Sequence, residues 1–262
     1  MKKPYIISDI ALNHNGDYKR ACDSVFQARQ CGFDAVKFQL YDTERLTEDS
    51  ETRKLLRAGK FDPEWLPGLR GLCDDLKIDL AVTPFYPEAV EIIKPYVDWI
   101  KIGSYEIGYL NLIEKIKESN KPVIISTGMV ESVDDVMDVF YYLADSQIKT
   151  LLYCVSKYPC KPEDIDMSWI IGTKDDMGYP IGYSDHSHDP NVIWAALMAG
   201  AEYIEMHFDI DGEGLEYSMG HVWTARECYA MIHNIKSAVK CFETTDFVPV
   251  FSKRTNQDGR RR

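Results

Sequence analysis

Two histidines close two neighbouring apolar runs, Tyr179-Pro-Ile-Gly-Tyr-Ser-Asp-His186 and Glu202-Tyr-Ile-Glu-Met-His207. Neutral imidazole is the commonest side-chain ligand of transition metals, so two of them one βα unit apart can converge on one ion. Two lysines raise a second question. Lys37 lies inside Ala-Val-Lys-Phe-Gln and Lys101 inside Trp-Ile-Lys-Ile-Gly. A lysine in an apolar interior needs an anion, because an unpaired buried charge is very costly. An internal salt bridge to Asp9, Glu106 or Glu205 is one source of that anion, and an anionic ligand is the other. Thr83, Ser104, Ser126 and Ser184 end neighbouring runs. Two cations among such hydroxyls suit a phosphate and a carboxylate. The ligand is the reading favoured here, since three carboxylates do not account for the hydroxyls.

The elements that must position these groups alternate. Short β-branched or aliphatic runs occur at Tyr5–Ile10, Ala35–Leu40, Asp79–Thr83, Trp99–Gly103, Val123–Thr127, Thr150–Val155, Ile181–Ser184 and Tyr203–Phe208. Their near-continuous apolarity is that of parallel strands buried on both faces. Between them lie segments with helical spacing and end signals. Asp17 caps a helix stopped by Gly32, Ser132 and Asp135 form a capping box, and Thr224 and Glu227 form another. Pro190 opens a helix that Gly200 ends. Eight βα units predict a closed (β/α)8 TIM barrel over residues 1–242, with 243–262 as a tail or linker. The segment Thr43–Lys77 is long for one connection and is expected to hold an extra helical turn and act as a lid.

In such a barrel, polar residues at the C-terminal ends of strands read as catalytic. Asp9 ends the first strand and leads into Asn13-His-Asn-Gly16. Lys37 and Gln39 alternate on the second, so both point one way. Lys101, Ser104 and Glu106 follow the fourth, Ser126 the fifth, Ser156 and Tyr158 the sixth. For His186 and His207 a packed role in the core competes with a metal site. Their pairing, with Asp185 and Glu205 as potential carboxylate partners, favours metal. His14 is read equally as a turn former and as a site residue. His188, His221 and His233 are read as solvated or packed. Neither a G-x-S-x-G elbow, nor a P-loop, nor G-x-G-x-x-G occurs.

The formal net charge of −12 argues against a phosphate-backbone partner. No run approaches 18 apolar residues, so no membrane span is expected. The seven cysteines are scattered without C-x-x-C spacing, which fits reduced thiols in a cytoplasm better than a disulfide framework.

The ordered set Asn13-His-Asn-Gly16, Val36-Lys-Phe-Gln39, Thr83-Pro-Phe85, Lys101-Ile-Gly-Ser104 with Glu106, Ser126-Thr-Gly-Met129, Tyr158-Pro159, Gly182-Tyr-Ser-Asp-His186 and Glu205-Met-His-Phe208 resembles the N-acetylneuraminate (sialic acid) synthase family. It runs from about Pro4 to Cys241. The resemblance implies a phosphoenolpyruvate-dependent barrel enzyme that condenses this substrate with an N-acetylmannosamine-like aldose to a nine-carbon 2-keto sugar acid, releasing phosphate. It implies a divalent ion, Mn2+ or Mg2+, held by His186 and His207. By the same match, Lys37, Thr83, Lys101, Ser104, Ser126 and Ser184 bind phosphoenolpyruvate, Glu106 lies beside it, and Gln39 and Tyr158 lie near the sugar. Asp9, Glu106 and Lys101 take the catalytic roles.

The chain also departs from that pattern. Asp9 stands where the family usually has glutamate, and Ser156, a substrate-binding position, where asparagine is usual. Glu213–His221 does not match the family's Gly-Pro-Asp segment. The C-terminal antifreeze-like domain, which caps a partner's site in the family's dimer, does not follow the barrel. A cap from a separate polypeptide, a fragment, or a different sugar are the explanations, and a homodimer through the outer helices stays open. Two other readings compete: a non-catalytic or regulatory barrel binding a phosphorylated ligand, and an aldolase forming a Schiff base on Lys37 or Lys101.

Overall fold

A computed structural model describes residues 2–130, 133–143, 147–176 and 178–242. Eight parallel strands follow one another around a closed barrel: β1 (Tyr5–Asp9), β2 (Ala35–Leu40), β3 (Asp79–Pro84), β4 (Trp99–Ile102), β5 (Val123–Ser126), β6 (Ile148–Tyr153), β7 (Ile181–Asp185) and β8 (Tyr203–Asp209). Pairing of β1 with β8 closes the ring. A two-residue strand, β9 (Trp223–Thr224), adds to the end of β8. This is the predicted (β/α)8 architecture. The strand bounds differ from the expected ones by a residue or two, as they do wherever ends fray.

Strand alternation divides the residues between two compartments. Outward-facing Ile6, Val36, Phe38, Val82, Ile100, Ile125, Ile204 and Phe208 belong to the main core beneath the helices. Inward-facing Ile7, Ala35, Ala81, Trp99, Ile124 and Leu152 form a separate apolar layer, flanked by Tyr5 and Tyr203, that fills the lower barrel. On five of these strands the next inward position is polar, Asp9, Lys37, Thr83, Lys101 and Ser126, and on β6 it is Cys154. A floor of hydrocarbon therefore lies under a ring of charge.

The helical signals decide where strands begin. Asp17 caps α1 (Tyr18–Cys31) by accepting from the Arg20 amide, and Gly32 ends it in the left-handed region. Asp189 caps the helix Pro190–Ala199, with Pro190 at its first turn and Gly200 at φ +110° after its last. Thr224 and Glu227 form the expected capping box of the helix Ala225–Val239. The capping box expected at Ser132 and the tail 243–262 lie outside the described residues.

The long β2–β3 connection contains α2 (Thr43–Leu46), α3 (Ser50–Ala58) and the crossover helix α4 (Leu66–Leu76). The expectation that it forms a lid needs correction. Its residues pack on the loop after β1: Phe61 and Trp65 surround the His14 ring at 6.0 and 5.3 Å. None of residues 43–77 lines the main cavity; Arg45 and Leu46 border a second cavity next to it, with Phe85, Tyr105 and Glu106 common to both. Among the described residues, no helix is long and apolar enough to cross a membrane.

Gly182 sits in a tight spot where β7 lies between β6 and β8. A Cβ there would lie 2.5 Å from Leu152 Cδ2 and 2.6 Å from the Tyr203 carbonyl oxygen. Gly182→Ala is expected to destabilise the barrel by about 1–3 kcal/mol through overpacking. Urea unfolding checks this, and an unchanged midpoint would remove the steric argument.

Candidate active site

The inward polar ring opens into a cavity of about 450 Å3 at the C-terminal ends of the strands. Of the candidate residues, Asp9, Lys37, Gln39, Thr83, Lys101, Ser104, Glu106, Ser126, Ser156, Tyr158, Ser184, His186 and His207 line it, and His14 does not. Register explains the central cluster. Asp9 pairs laterally with Lys37 on one side and His207 on the other, and Ser184 pairs with Glu205.

Both buried lysines are ion-paired. Lys37 Nζ lies 2.6 Å from Asp9 Oδ2 and 4.0 Å from Glu205 Oε2. Lys101 Nζ donates to Glu205 Oε1 at 3.1 Å, and Ser184 donates to the same oxygen at 2.9 Å. The internal salt bridge, weighed against an anionic ligand in the sequence, is thus the arrangement the structure shows. The hydroxyls beside it remain available: Thr83 Oγ1 lies 3.4 Å from Lys37 Nζ, and Ser104 Oγ accepts from the Gly128 amide. Burial alone would raise the Asp9 pKa, but Lys37 and His207 outweigh it and hold the carboxyl below its usual range. Gln39 Nε2 adds a donor to Asp9 at 3.2 Å.

Glu106 behaves differently. It is 3% exposed and burial pushes its pKa up to about 7, only partly opposed by Lys101. A carboxyl that exchanges its proton near neutrality suits general acid–base work.

The histidines form one aromatic cluster. His186 and His207 ring centroids are 5.5 Å apart, and Tyr158 covers His186 at 4.2 Å. His186 Nδ1 donates to the Val155 carbonyl at 2.7 Å, which leaves Nε2 as a free lone pair. Burial, with the nearby His207, lowers its pKa to about 3, so it is neutral at pH 7. For His207 burial acts the same way, but Asp9 and Glu216 reverse it and raise the pKa.

The partners expected for these histidines need correction. Asp185 is adjacent in sequence to His186 and so faces the opposite side of the strand. It accepts from Trp223 Nε1 at 2.9 Å and from the Ser187 hydroxyl, anchoring the next loop. Glu205 serves Lys101 and Ser184. The groups actually at the imidazoles are the Val155 carbonyl at His186, and Glu216 at Nδ1 and Asp9 at Nε2 of His207, the last at 3.7 Å. His14 resolves as a turn former: Nδ1 accepts from the Gly16 amide, and the ring sits among Phe38, Phe61 and Trp65. His221 is a second correction. It is buried, lines the cavity, and faces His207 at 4.6 Å rather than packing remotely. Burial, together with His207 and His186, lowers its pKa to about 2. Glu216 and His221 were hidden in a loop without periodicity; the signal that finds them is their position after a strand that ends in a site residue.

Two neutral imidazoles, His186 and His221, on either hand of a third, His207, that is flanked by carboxylates, are a donor set that fits a divalent transition metal. The two lysine pairs and the hydroxyls fit a phosphate-bearing ligand next to it.

Comparison with known proteins follows the geometry. Residues 24–246 match the NeuB family. The chain is 31% identical over 256 residues, 95% of its length and 75% of the relative's, to an uncharacterised protein of Methanocaldococcus jannaschii. It is 30% identical over 228 residues to the N,N'-diacetyllegionaminic acid synthase of Legionella pneumophila, covering 79% of this chain and 64% of that enzyme. The chain thus spans just under two thirds of that synthase. The crystal structure of an N-acetylneuraminic acid (sialic acid) synthetase from Leptospira borgpetersenii, in complex with citrate, superposes with a TM-score of 0.87 at 28% identity, over 96% of this chain and 89% of that one.

Two outcomes are expected. Lys37→Met leaves Asp9 buried without its cation and should cost about 3–5 kcal/mol. Adding Asp9→Asn should recover most of it; losses that simply add in a denaturation cycle would refute the pairing. Glu106 is ionised in the unfolded chain above its usual pKa but stays protonated in the fold up to about 7. The folded pKa is raised, so this group's contribution to stability falls as pH rises from about 4.5 through 7. Glu106→Gln should therefore gain thermal stability relative to the parent between pH 5 and pH 8. A pH-independent difference would contradict the shift.

Proposed function

The chain belongs to the NeuB family, and we propose that it condenses phosphoenolpyruvate with an N-acetylmannosamine-like aldose to give a nine-carbon 2-keto sugar acid and inorganic phosphate. The observation that carries this reading is the joining, in one cavity, of two buried lysines, a set of strand-end hydroxyls and a cluster of imidazoles. The names of similar proteins point the same way: they include legionaminic and pseudaminic acid synthases.

In this reading Lys37 and Lys101 loosen from Asp9 and Glu205 to meet the carboxylate and phosphate. Thr83, Ser104, Ser126, Ser156 and Ser184 donate to the remaining oxygens. Gln39 and Tyr158 stand nearer the rim, where the sugar enters. His186 and His207 would hold a divalent cation, Mn2+ or Mg2+. Bound there, such an ion supplies Lewis acidity to an aldehyde oxygen and positive charge against the phosphate. The methylene carbon of phosphoenolpyruvate forms the new bond to the aldehyde carbon, whose oxygen takes a proton. Water adds at the phosphate-bearing carbon and phosphate departs, leaving the keto group. Glu106, with its pKa near 7, exchanges the proton of that water. Asp9, held ionised between Lys37 and His207, keeps the imidazole oriented. Preorganised donors of this kind stabilise the charge as it moves.

The proposed partners are these two small molecules; no nucleic acid or membrane is part of the reading. A homodimer and a cap on a separate polypeptide are compatible with it. Seven free thiols match a reducing cytoplasm. A second reading, a barrel that binds a phosphorylated ligand without turnover, is favoured by one observation: both lysines are already matched by carboxylates.

Phosphate release with Mn2+, phosphoenolpyruvate and a panel of 2-acetamido sugars decides between them. Release is expected only with both substrates, and His207→Ala should abolish it. Tight phosphoenolpyruvate binding without release for any sugar would support the second reading.

A further inference from the structure

The loop from β8 to β9 does more than connect two strands. It brings Glu216 and His221 to the imidazole of His207. His221 is 1% exposed, yet neither ring nitrogen has a hydrogen-bond partner among the described residues. A buried polar group in that condition is costly. Its ring stands almost perpendicular to His207, at 76° and 4.6 Å between centroids, and borders the cavity.

Glu216 is the second element. Its Oε2 lies 3.3 Å from His207 Nδ1, with the side chain only 12% exposed. That separation suits a hydrogen bond, and it equally suits two adjacent ligands on one ion at bond lengths of about 2.0–2.2 Å. One ligand atom from each of His207, Glu216 and His221 lies within 4.8 Å of the others. His186 is also close, its ring 5.5 Å from His207 and its Nδ1 committed to Val155.

The loop is built to hold this arrangement. The Asn13 side-chain oxygen accepts from the Glu216 amide, and its nitrogen donates to Glu216 Oε2 and to the Phe208 carbonyl. Asn15 grips the same loop at Glu213 and Leu215. Gly214 fits only without a side chain, since a Cβ would lie 2.5 Å from Asn13 Oδ1. Gly220, at φ +84°, turns the chain into His221.

We propose that His207, Glu216 and His221 form a two-histidine, one-carboxylate face that ligates the divalent cation of this cavity. Glu216 and His221 both come from the loop between β8 and β9. The inference rests on the reading that the cavity takes a divalent cation, and it is independent of turnover. Two imidazoles and one carboxylate favour manganese, cobalt or zinc over magnesium.

The test titrates Mn2+ into chelator-treated full-length protein without either substrate, following free Mn2+ by electron paramagnetic resonance. Co2+ is added in parallel and read by its visible absorption. Glu216→Gln and His221→Ala should each weaken Mn2+ binding by at least about tenfold and change the Co2+ spectrum. Far-UV circular dichroism and the melting temperature of the metal-free protein should stay near the parent's. Glu216→Gln, nearly isosteric, carries the test if His221→Ala does not fold. Parent-like affinity and spectra in the folded variants, or no uptake of either ion by the parent, would overturn the proposal. Failure of the synthase reading shows separately, as absent phosphate release by a protein whose metal titrations come out as expected.

Discussion

Two lysine–carboxylate pairs buried inside the barrel constrain everything above them. Charges in such a place persist only when matched, since removing two ions from water costs several kcal/mol each. The match is made by register. Asp9 sits beside Lys37 because β1 pairs with β2 in one register, and beside His207 because β1 pairs with β8 in another. A one-residue slip of either strand would turn its polar set outward and strand the partner charge. The same cross-strand geometry that closes the barrel therefore also sets the protonation of its centre.

Much of this was legible in the sequence, because strand alternation is a simple rule. Lys37 and Gln39, or Glu205 and His207, are two apart and must share a face; in the structure they do. The eight runs, the caps at Asp17 and Thr224, the helix start at Pro190 and the glycine stops at Gly32 and Gly200 were equally direct, each being a local property of a few residues. Asp185 was misassigned as a partner of His186 although the same rule, applied to adjacent residues, sends it to the opposite side.

What stayed hidden depends on contacts distant in sequence. Glu216 and His221 lie in a loop without period or propensity, and their placement is decided by Asn13 and Asn15, some 200 positions earlier. The residues 43–77 looked like a lid because of their length; they instead cover the loop that carries those asparagines. One end of the chain thus shapes the other through a turn whose own sequence, Asn-His-Asn-Gly, gives no sign of the reach of its amides.

The apolar layer of Ile7, Ala35, Ala81, Trp99, Ile124 and Leu152 has a kinetic meaning as well. It makes the cavity a blind well, with the lysines near the bottom and Tyr158 at the rim. A ligand resting on the lysines has to enter before anything that fills the mouth, and cannot depart until the mouth clears. For the proposed two-substrate reaction, traffic through such a well would be sequential: the order of arrival would follow from the packing of six apolar side chains below the polar ring.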